Sequence, residues 1–140
     1  MADPRTVLIE ARLERYAEQF GDPASAVLAR FFGRYPDAKA SFAHHAPHDP
    51  EKLETEMVGN TLYYLMTWFD SPVEARIYFD TSVPQHRVAL GVPPDWYRAF
   101  IEATLDEIEE AVQPASAEES AAWAEVRDAL VGLVERNRFV

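Results

Sequence analysis

The sequence predicts an all-α fold of seven or eight helices. Apolar residues recur at spacings of three and four along most of the chain, which is typical of amphipathic helices. Aspartate or serine followed by proline recurs at several points, and this pair is a helix-start signal. No segment alternates apolar and polar residues over the length of a strand. These three observations together exclude a sheet-based fold.

Composition sets the first limits on function. The 140 residues suffice for one domain with a substantial core, which we expect to span residues 1–140. The sequence contains no cysteine, which excludes disulfides, thiolate metal sites, iron–sulfur clusters and thiol nucleophiles. A net charge of −11, with its acids spread over helical faces, argues against nucleic acid and anionic membrane surfaces as partners.

The start of the chain predicts its location. Met-Ala-Asp-Pro has neither the basic region nor the apolar core of a signal peptide, and no window approaches a membrane span. We therefore expect a cytoplasmic protein that does not enter a membrane.

Two helices and a short turn are predicted in the first third of the chain. Residues 3–21 begin with an Asp-Pro pair and end at a glycine, and residues 22–35 repeat the start signal and end before a proline. A short helical turn is expected over residues 37–42. The polar loop after it contains His44, His45 and His48. With no acidic or thiol partners on a rigid element, this histidine group is interpreted as a solvated loop rather than a metal site.

The middle of the chain is predicted to form a long helix followed by two short segments. Asp49-Pro50 opens a helix with apolar residues down one side, which ends before Pro72. A helical segment follows over residues 73–79. Pro84 suits the first turn of a separate helix, and Gly91 suits the left-handed residue that ends it.

Two further helices complete the predicted fold. Pro93-Pro94 opens a long helix that stops at Gln113-Pro114. Ser116 and Glu119 have the spacing of a capping box, which predicts the start of the last helix.

His86 is the main candidate for function. Val83, His86 and Leu90 follow one another at helical spacing, so the imidazole shares the face that the two aliphatic side chains bury. One interpretation is a core imidazole that is hydrogen-bonded to a carbonyl. The position of His86 on the helix, taken alone, favours this interpretation. The other is a neutral imidazole that ligates a metal or a haem iron.

Two motifs resemble those of a known family. Residues 31–42, Phe-Phe-Gly-Arg-Tyr-Pro-Asp-Ala-Lys-Ala-Ser-Phe, resemble the end of the second helix, the short third helix and the following phenylalanine of bacterial globins. Residues 86–97, from His86 to the run Gly-Val-Pro-Pro-Asp-Trp-Tyr, resemble the proximal-histidine helix and the next helix start in bacterial haemoglobins and globin-coupled sensors. The chain is therefore similar to bacterial single-domain globins, which implies a globin fold around a pocket for haem b.

The resemblance also implies roles for individual residues. His86 matches the proximal iron ligand and Phe42 the phenylalanine against the haem face, a role that is compatible with core packing. Tyr97 is similar to the tyrosine near the proximal histidine of flavohaemoglobin-like globins, although a buried phenol with a backbone partner is an equal interpretation. Arg87 either reaches a haem propionate or faces water, the more common case. The cofactor-binding candidates are His86, Phe42, Tyr97, Leu28, Phe32, Leu53, Met57, Val58, Phe100, Val126 and Leu130, with His86 as the metal ligand.

The distal side departs from the family pattern. Leu28 stands where flavohaemoglobin-like globins carry a tyrosine that stabilises bound dioxygen. The candidates facing the iron from the distal helix include neither histidine nor glutamine, while hydroxyl groups lie further along that helix. The spacing from His86 to Tyr97 is also one residue longer than in the sensor pattern. The iron-facing candidates are Leu53, Glu54, Met57 and Val58, and the hydroxyl residues are Thr61, Tyr63 and Tyr64.

Three functions are compatible with these features. The first is a haem protein that reversibly binds dioxygen, nitric oxide or carbon monoxide as a sensor, store or scavenger. The second is a haem enzyme, a nitric oxide dioxygenase or a peroxidase-like activity, which needs a separate reductase. The third is a haem-free signalling module on the same fold. Hydrolytic sites are not indicated by any residue grouping.

Some sensor globins dimerise through their terminal helices. In this chain Trp123 and Phe139 are candidates for such a dimer interface.

Overall fold

The computed structural model describes residues 3–140, and this part of the chain contains seven α-helices and no strand. The predicted all-α fold is therefore confirmed. The helices are α1 (Pro4–Phe20), α2 (Ala24–Arg34), α3 (Asp37–His45), α4 (Pro50–Thr67), α5 (Pro72–Leu90), α6 (Pro94–Ala111) and α7 (Ala117–Glu135).

Side-chain caps begin three of the helices as the sequence predicts. The Asp3 carboxylate accepts a hydrogen bond from the backbone N–H of the second residue of α1. Asp49 caps α4 by accepting from the Lys52 N–H at 3.0 Å. The Ser116 hydroxyl accepts from the Glu119 N–H at 3.0 Å at the start of α7. Each cap satisfies a backbone donor that the first helical turn leaves without a partner.

α5 corrects one prediction. Residues 72–90 form one continuous helix with Pro84 in its interior, so the prediction of a separate helix beginning at Pro84 is wrong. Proline lacks the N–H that would bond to the Asp80 carbonyl, but one missing bond does not end the helix. Phe79 and Val83, in the turns just before the proline, are buried and anchor this part of α5 in the core. The helix ends at Gly91, which has the predicted left-handed conformation with φ 66°.

α3 is longer than the sequence suggested. It continues through His45 and ends where the Ala46 N–H bonds to the Phe42 carbonyl at 2.9 Å. His44 and His45 are therefore helical, and the prediction that they lie in a polar loop is wrong. Alanine has the highest helix propensity, and the alanines of this segment extend the turn into a helix.

The buried residues form two clusters. The larger core cluster lies between α1, α4, α5, α6 and α7, and the smaller core cluster lies between α2, α3, α4 and α6. Leu62 packs against both. The larger core cluster consists of Ile9, Tyr16, Tyr64, Leu65, Ala75, Phe79, Val83, Tyr97, Ile101, Leu105, Ile108, Val112, Ala122, Trp123, Val126, Leu130, Leu133 and Val134. The smaller core cluster consists of Ala24, Val27, Phe31, Ala38, Phe42, Val58, Ala99, Phe100 and Ala103.

Arg12 joins α1 to the end of α6. Its guanidinium is buried, donates to the Val112 carbonyl at 2.7 Å and lies 4.7 Å from the centre of the Trp123 ring. A cation at a helix C-terminus satisfies the last carbonyls and is favoured by the helix dipole. Trp123 is 2% exposed and belongs to the core, so it offers no surface to a second chain.

Candidate functional site

A partly open cavity of about 90 Å³ lies between five helices. α2, α3, α4, α5 and α6 all contribute to its wall, together with the loop that joins α5 to α6. The lining residues are Phe31, Ala38, Ser41, Phe42, His45, Leu53, Met57, His86, Leu90, Val92, Trp96, Tyr97 and Phe100. Most of these side chains are apolar, which suits a hydrophobic ligand.

His86 presents one ring nitrogen without a backbone partner. Its Nδ1 lies 2.7 Å from the Ser82 carbonyl oxygen, one turn earlier on α5. A carbonyl only accepts, so Nδ1 carries the proton and Nε2 keeps its lone pair. Burial lowers the pKa of the imidazole below its ordinary value; the bond to Ser82 opposes this and the nearby His45 adds to it. His86 is therefore a neutral imidazole with the tautomer that metal ligation through Nε2 requires.

Tyr97 contacts His86 and is anchored by a side chain. The two rings meet edge to face, with centroids 5.1 Å apart and an interplanar angle of 89°. The Tyr97 hydroxyl oxygen lies 2.8 Å from Ser82 Oγ. Burial, with a smaller contribution from Tyr78, raises the pKa of Tyr97 well above its ordinary value, so the phenol stays protonated. Both interpretations from the sequence hold in part, since the phenol is buried and also touches His86, but its partner is a side chain rather than the backbone.

Aromatic rings form the wall on the side of α2, α3 and α6. Phe31 and Phe100 pack edge to face with centroids 5.1 Å apart. Phe42 packs edge to face on Phe32 at 5.8 Å. Edge-to-face pairs of this kind stabilise the positions of the rings, and Phe31, Phe42 and Phe100 line the cavity.

These features agree with a comparison against known families. The Globin family model matches residues 25–133, from α2 to the last turns of α7. The chain belongs to the globin family. Comparison with the curated proteins and with the solved structures finds no match.

The residues of this globin fit the cofactor of the family. A haem requires one neutral imidazole as an axial ligand, flat apolar contacts and exclusion of water from the ring. His86 supplies a lone pair on Nε2, and Phe42, Leu53, Met57 and Phe100 supply apolar walls. The protein therefore contains the donor and the surroundings that haem binding needs.

The structure brings together six of the eleven predicted cofactor-binding residues at the cavity. His86, Phe42, Tyr97, Leu53, Met57 and Phe100 line it. The other five lie outside its lining. Leu28 and Phe32 are half-buried beside the smaller core cluster, Val58 belongs to that cluster, and Val126 and Leu130 lie in the larger core cluster.

Sequence reasoning missed several lining residues. Phe31, the first residue of the motif over residues 31–42, lines the cavity, whereas the predicted Leu28, three residues earlier on α2, does not. Trp96 and Val92 belong to the motif that follows His86, so their position beside the histidine was a usable signal. Ser82 was also missed, and its spacing of four residues from His86 could have identified it.

His45 closes part of the cavity mouth. Its Nε2 lies 3.0 Å from the Leu90 carbonyl oxygen, so this nitrogen donates to the end of the helix that carries His86. The neighbouring His44 is exposed, and the rings of the two histidines meet at 4.9 Å. Among residues 3–140, no group of histidine and acidic side chains could hold a metal ion.

Two charged residues near the cavity do not line it. The Arg87 guanidinium donates to the backbone oxygen of Val140. Glu54 is buried on α4, where burial raises the pKa of its carboxyl group above the usual range, and Lys39 opposes this shift. Neither residue is among those that the structure places on the cavity wall.

Proposed function

We propose that this globin binds haem b through His86 and reversibly binds a diatomic gas, as a sensor, store or scavenger. The observation that carries the proposal is the hydrogen bond from His86 Nδ1 to the Ser82 carbonyl at 2.7 Å, which leaves Nε2 unprotonated on the wall of an apolar cavity. When bound, haem would supply an iron centre that can take up a small neutral ligand.

Apolar side chains of the cavity wall support haem binding. Phe42, Phe100 and Met57 would flank the ring with apolar surface and keep water from it. On α4 the lining residues are Leu53 and Met57, which offer no hydrogen-bond donor. An apolar wall gives dioxygen no hydrogen-bond advantage over nitric oxide or carbon monoxide.

Absorption spectra of the haem-loaded protein test the proposal. The chain is mixed with haemin, freed of excess ligand, and measured in the ferric, ferrous and carbon monoxide states. We expect a Soret band that shifts when carbon monoxide is added to the reduced protein. In His86→Ala the band should be lost or take the form of haem without an axial imidazole.

His44→Ala is the matched control. His44 is exposed on α3 and is not a cavity-lining residue, so its removal should leave the spectrum unchanged. A wild-type protein without a Soret band contradicts the proposal and favours the haem-free signalling module. A band that is identical in His86→Ala contradicts the assignment of the ligand.

The same preparation tests the enzymatic alternative. Catalytic consumption of nitric oxide or peroxide, with a generic reductase supplied, would assign the protein to nitric oxide dioxygenase or peroxidase-like chemistry.

The cytoplasmic location and the formation of a homodimer remain predictions. Phe139 is 93% exposed, and a dimer formed there would be detected by the mass in solution. No helix in the described part of the chain is long and apolar enough to cross a membrane.

A further inference from the structure

The hydroxyl of Ser82 bonds differently from three threonine hydroxyls inside other helices of this globin. Thr61, Thr67 and Thr104 each donate to the carbonyl four residues earlier in their own helix, at 2.8 to 3.1 Å. The partners that the structure gives to Ser82 Oγ are two side chains, His86 Nδ1 at 3.3 Å and the Tyr97 hydroxyl at 2.8 Å. Ser82 therefore links α5 to α6 beside the histidine.

The hydrogen-bond directions follow from the chemistry of the groups. His86 Nδ1 carries a proton because the Ser82 carbonyl can only accept. Ser82 Oγ then faces an N–H donor and accepts from it, which leaves the serine proton free to donate to the Tyr97 oxygen. The Nδ1–H is thus shared between the carbonyl and the hydroxyl of a single residue.

We propose that Ser82 is a positioning residue for His86, whose hydroxyl, held by Tyr97, fixes the plane of the imidazole and strengthens Nε2 as an electron donor. A hydrogen-bond acceptor at Nδ1 raises the basicity of Nε2, the nitrogen that would bind iron. Each bond in a chain of hydrogen bonds polarises the next group and strengthens this effect. Ser82 is 8% exposed and Tyr97 is also buried, so water does not compete for these bonds. This inference rests on the proposed haem-binding function.

Four variants of the haem-loaded protein test the inference. Ser82→Ala removes the hydroxyl, Ser82→Thr retains it, and Tyr97→Phe removes only the group that holds it. Thr104→Val is the matched control, because it deletes a fully buried hydroxyl of the same helix as Tyr97 that bonds to the Phe100 carbonyl. The readouts are the iron–histidine stretching band in the ferrous protein and the rate of haem transfer to an excess of apomyoglobin.

Ser82→Ala should lower the stretching frequency and speed up haem loss by roughly tenfold, the effect typical of removing an outer partner of a ligating histidine. Ser82→Thr should restore the band, and Tyr97→Phe should shift it in the same direction by less. Thr104→Val should lower stability without moving the band. A band that stays in place in Ser82→Ala, or that moves equally in Thr104→Val, overturns the inference.

Nitrogen NMR of the haem-free protein gives an independent readout. The His86 ring nitrogens should report a dominant Nδ1–H tautomer, which the Ser82 carbonyl retains in Ser82→Ala, while the Nδ1 chemical shift should move in that variant because one of its two acceptors is lost. If the wild-type chain binds no haem, the proposed function fails and the Nδ1 chemical shift alone decides the inference. An unchanged Nδ1 chemical shift in Ser82→Ala then overturns it.

Discussion

Replacing Glu119 with glutamine should destabilise the fold by removing a buried charge. The Glu119 carboxylate is 2% exposed and accepts hydrogen bonds from both terminal nitrogens of Arg15. It also accepts from the Ala115 N–H at 3.2 Å, and its own N–H is bonded to the Ser116 hydroxyl. The residue thus joins α1 to the start of α7.

The size of the stability loss follows from the solvent exposure of Glu119 and of Arg15. Removing one member of a fully buried ion pair costs about 3–5 kcal/mol, because the other charge stays desolvated. Arg15 is 29% exposed and regains water, and glutamine retains an acceptor for the Ala115 N–H. We therefore expect a loss of about 2 kcal/mol in the free energy of unfolding, or a melting temperature lower by roughly 7 °C for a chain of this size.

The effect should also depend on pH. The Arg15 guanidinium holds the pKa of the Glu119 carboxyl below its ordinary value of 4.5 in the folded state. A lowered folded pKa means that the unfolded chain binds more protons, so the stabilisation is complete above the unfolded value and is lost as pH falls through the folded one. Urea unfolding of wild type and Glu119→Gln should show the largest difference at neutral pH and a shrinking one below pH 4.5.

A double-mutant cycle decides whether the pair is responsible. Arg15→Gln and the double variant Arg15→Gln with Glu119→Gln complete the cycle. If the two single losses add to within about 0.5 kcal/mol, the residues do not interact and the reasoning is refuted. A difference between wild type and Glu119→Gln that is independent of pH refutes the assigned role of the charge.

Pro84→Ala should raise the free energy of unfolding by about 1 kcal/mol, because an N–H is restored opposite the Asp80 carbonyl inside α5. Thermal unfolding measures this, and a lower melting temperature would show that the proline ring packs better than alanine. His45→Ala should increase the rate of haem loss by roughly fivefold, the equivalent of one hydrogen bond to the Leu90 carbonyl. His44→Ala is the control for haem loss, and equal rates in the two variants would contradict a role for His45 at the cavity mouth.

Local capping chemistry made the starts of three helices predictable. The caps at Asp3, Asp49 and Ser116 act over three residues or fewer, so the sequence alone contains all the partners. The helix start predicted at Pro84 was wrong because proline occurs both in the first turn of a helix and, at a cost in stability, in a helix interior. Only tertiary packing of the surrounding buried residues decides between the two.

The residues of the site were predictable where they lie in one of the two globin-like motifs. His86, Phe42 and Tyr97 lie in the runs that resemble globins, and all three line the cavity. Val126 and Leu130 have correct helical spacing and are fully buried, but they face the larger core cluster. Periodicity identifies the inward face of a helix and does not specify which inner surface that face meets.

The central cavity belongs almost entirely to one half of the interior. Four of its lining residues belong to the smaller core cluster. Tyr97 is the one lining residue that belongs to the larger core cluster. Apart from Tyr97, the side chains of the larger cluster pack against one another away from the cavity wall. For protein engineering, this separation means that the walls formed by α2 and α3 can be reshaped for other ligands while α1 and α7 continue to hold the scaffold together.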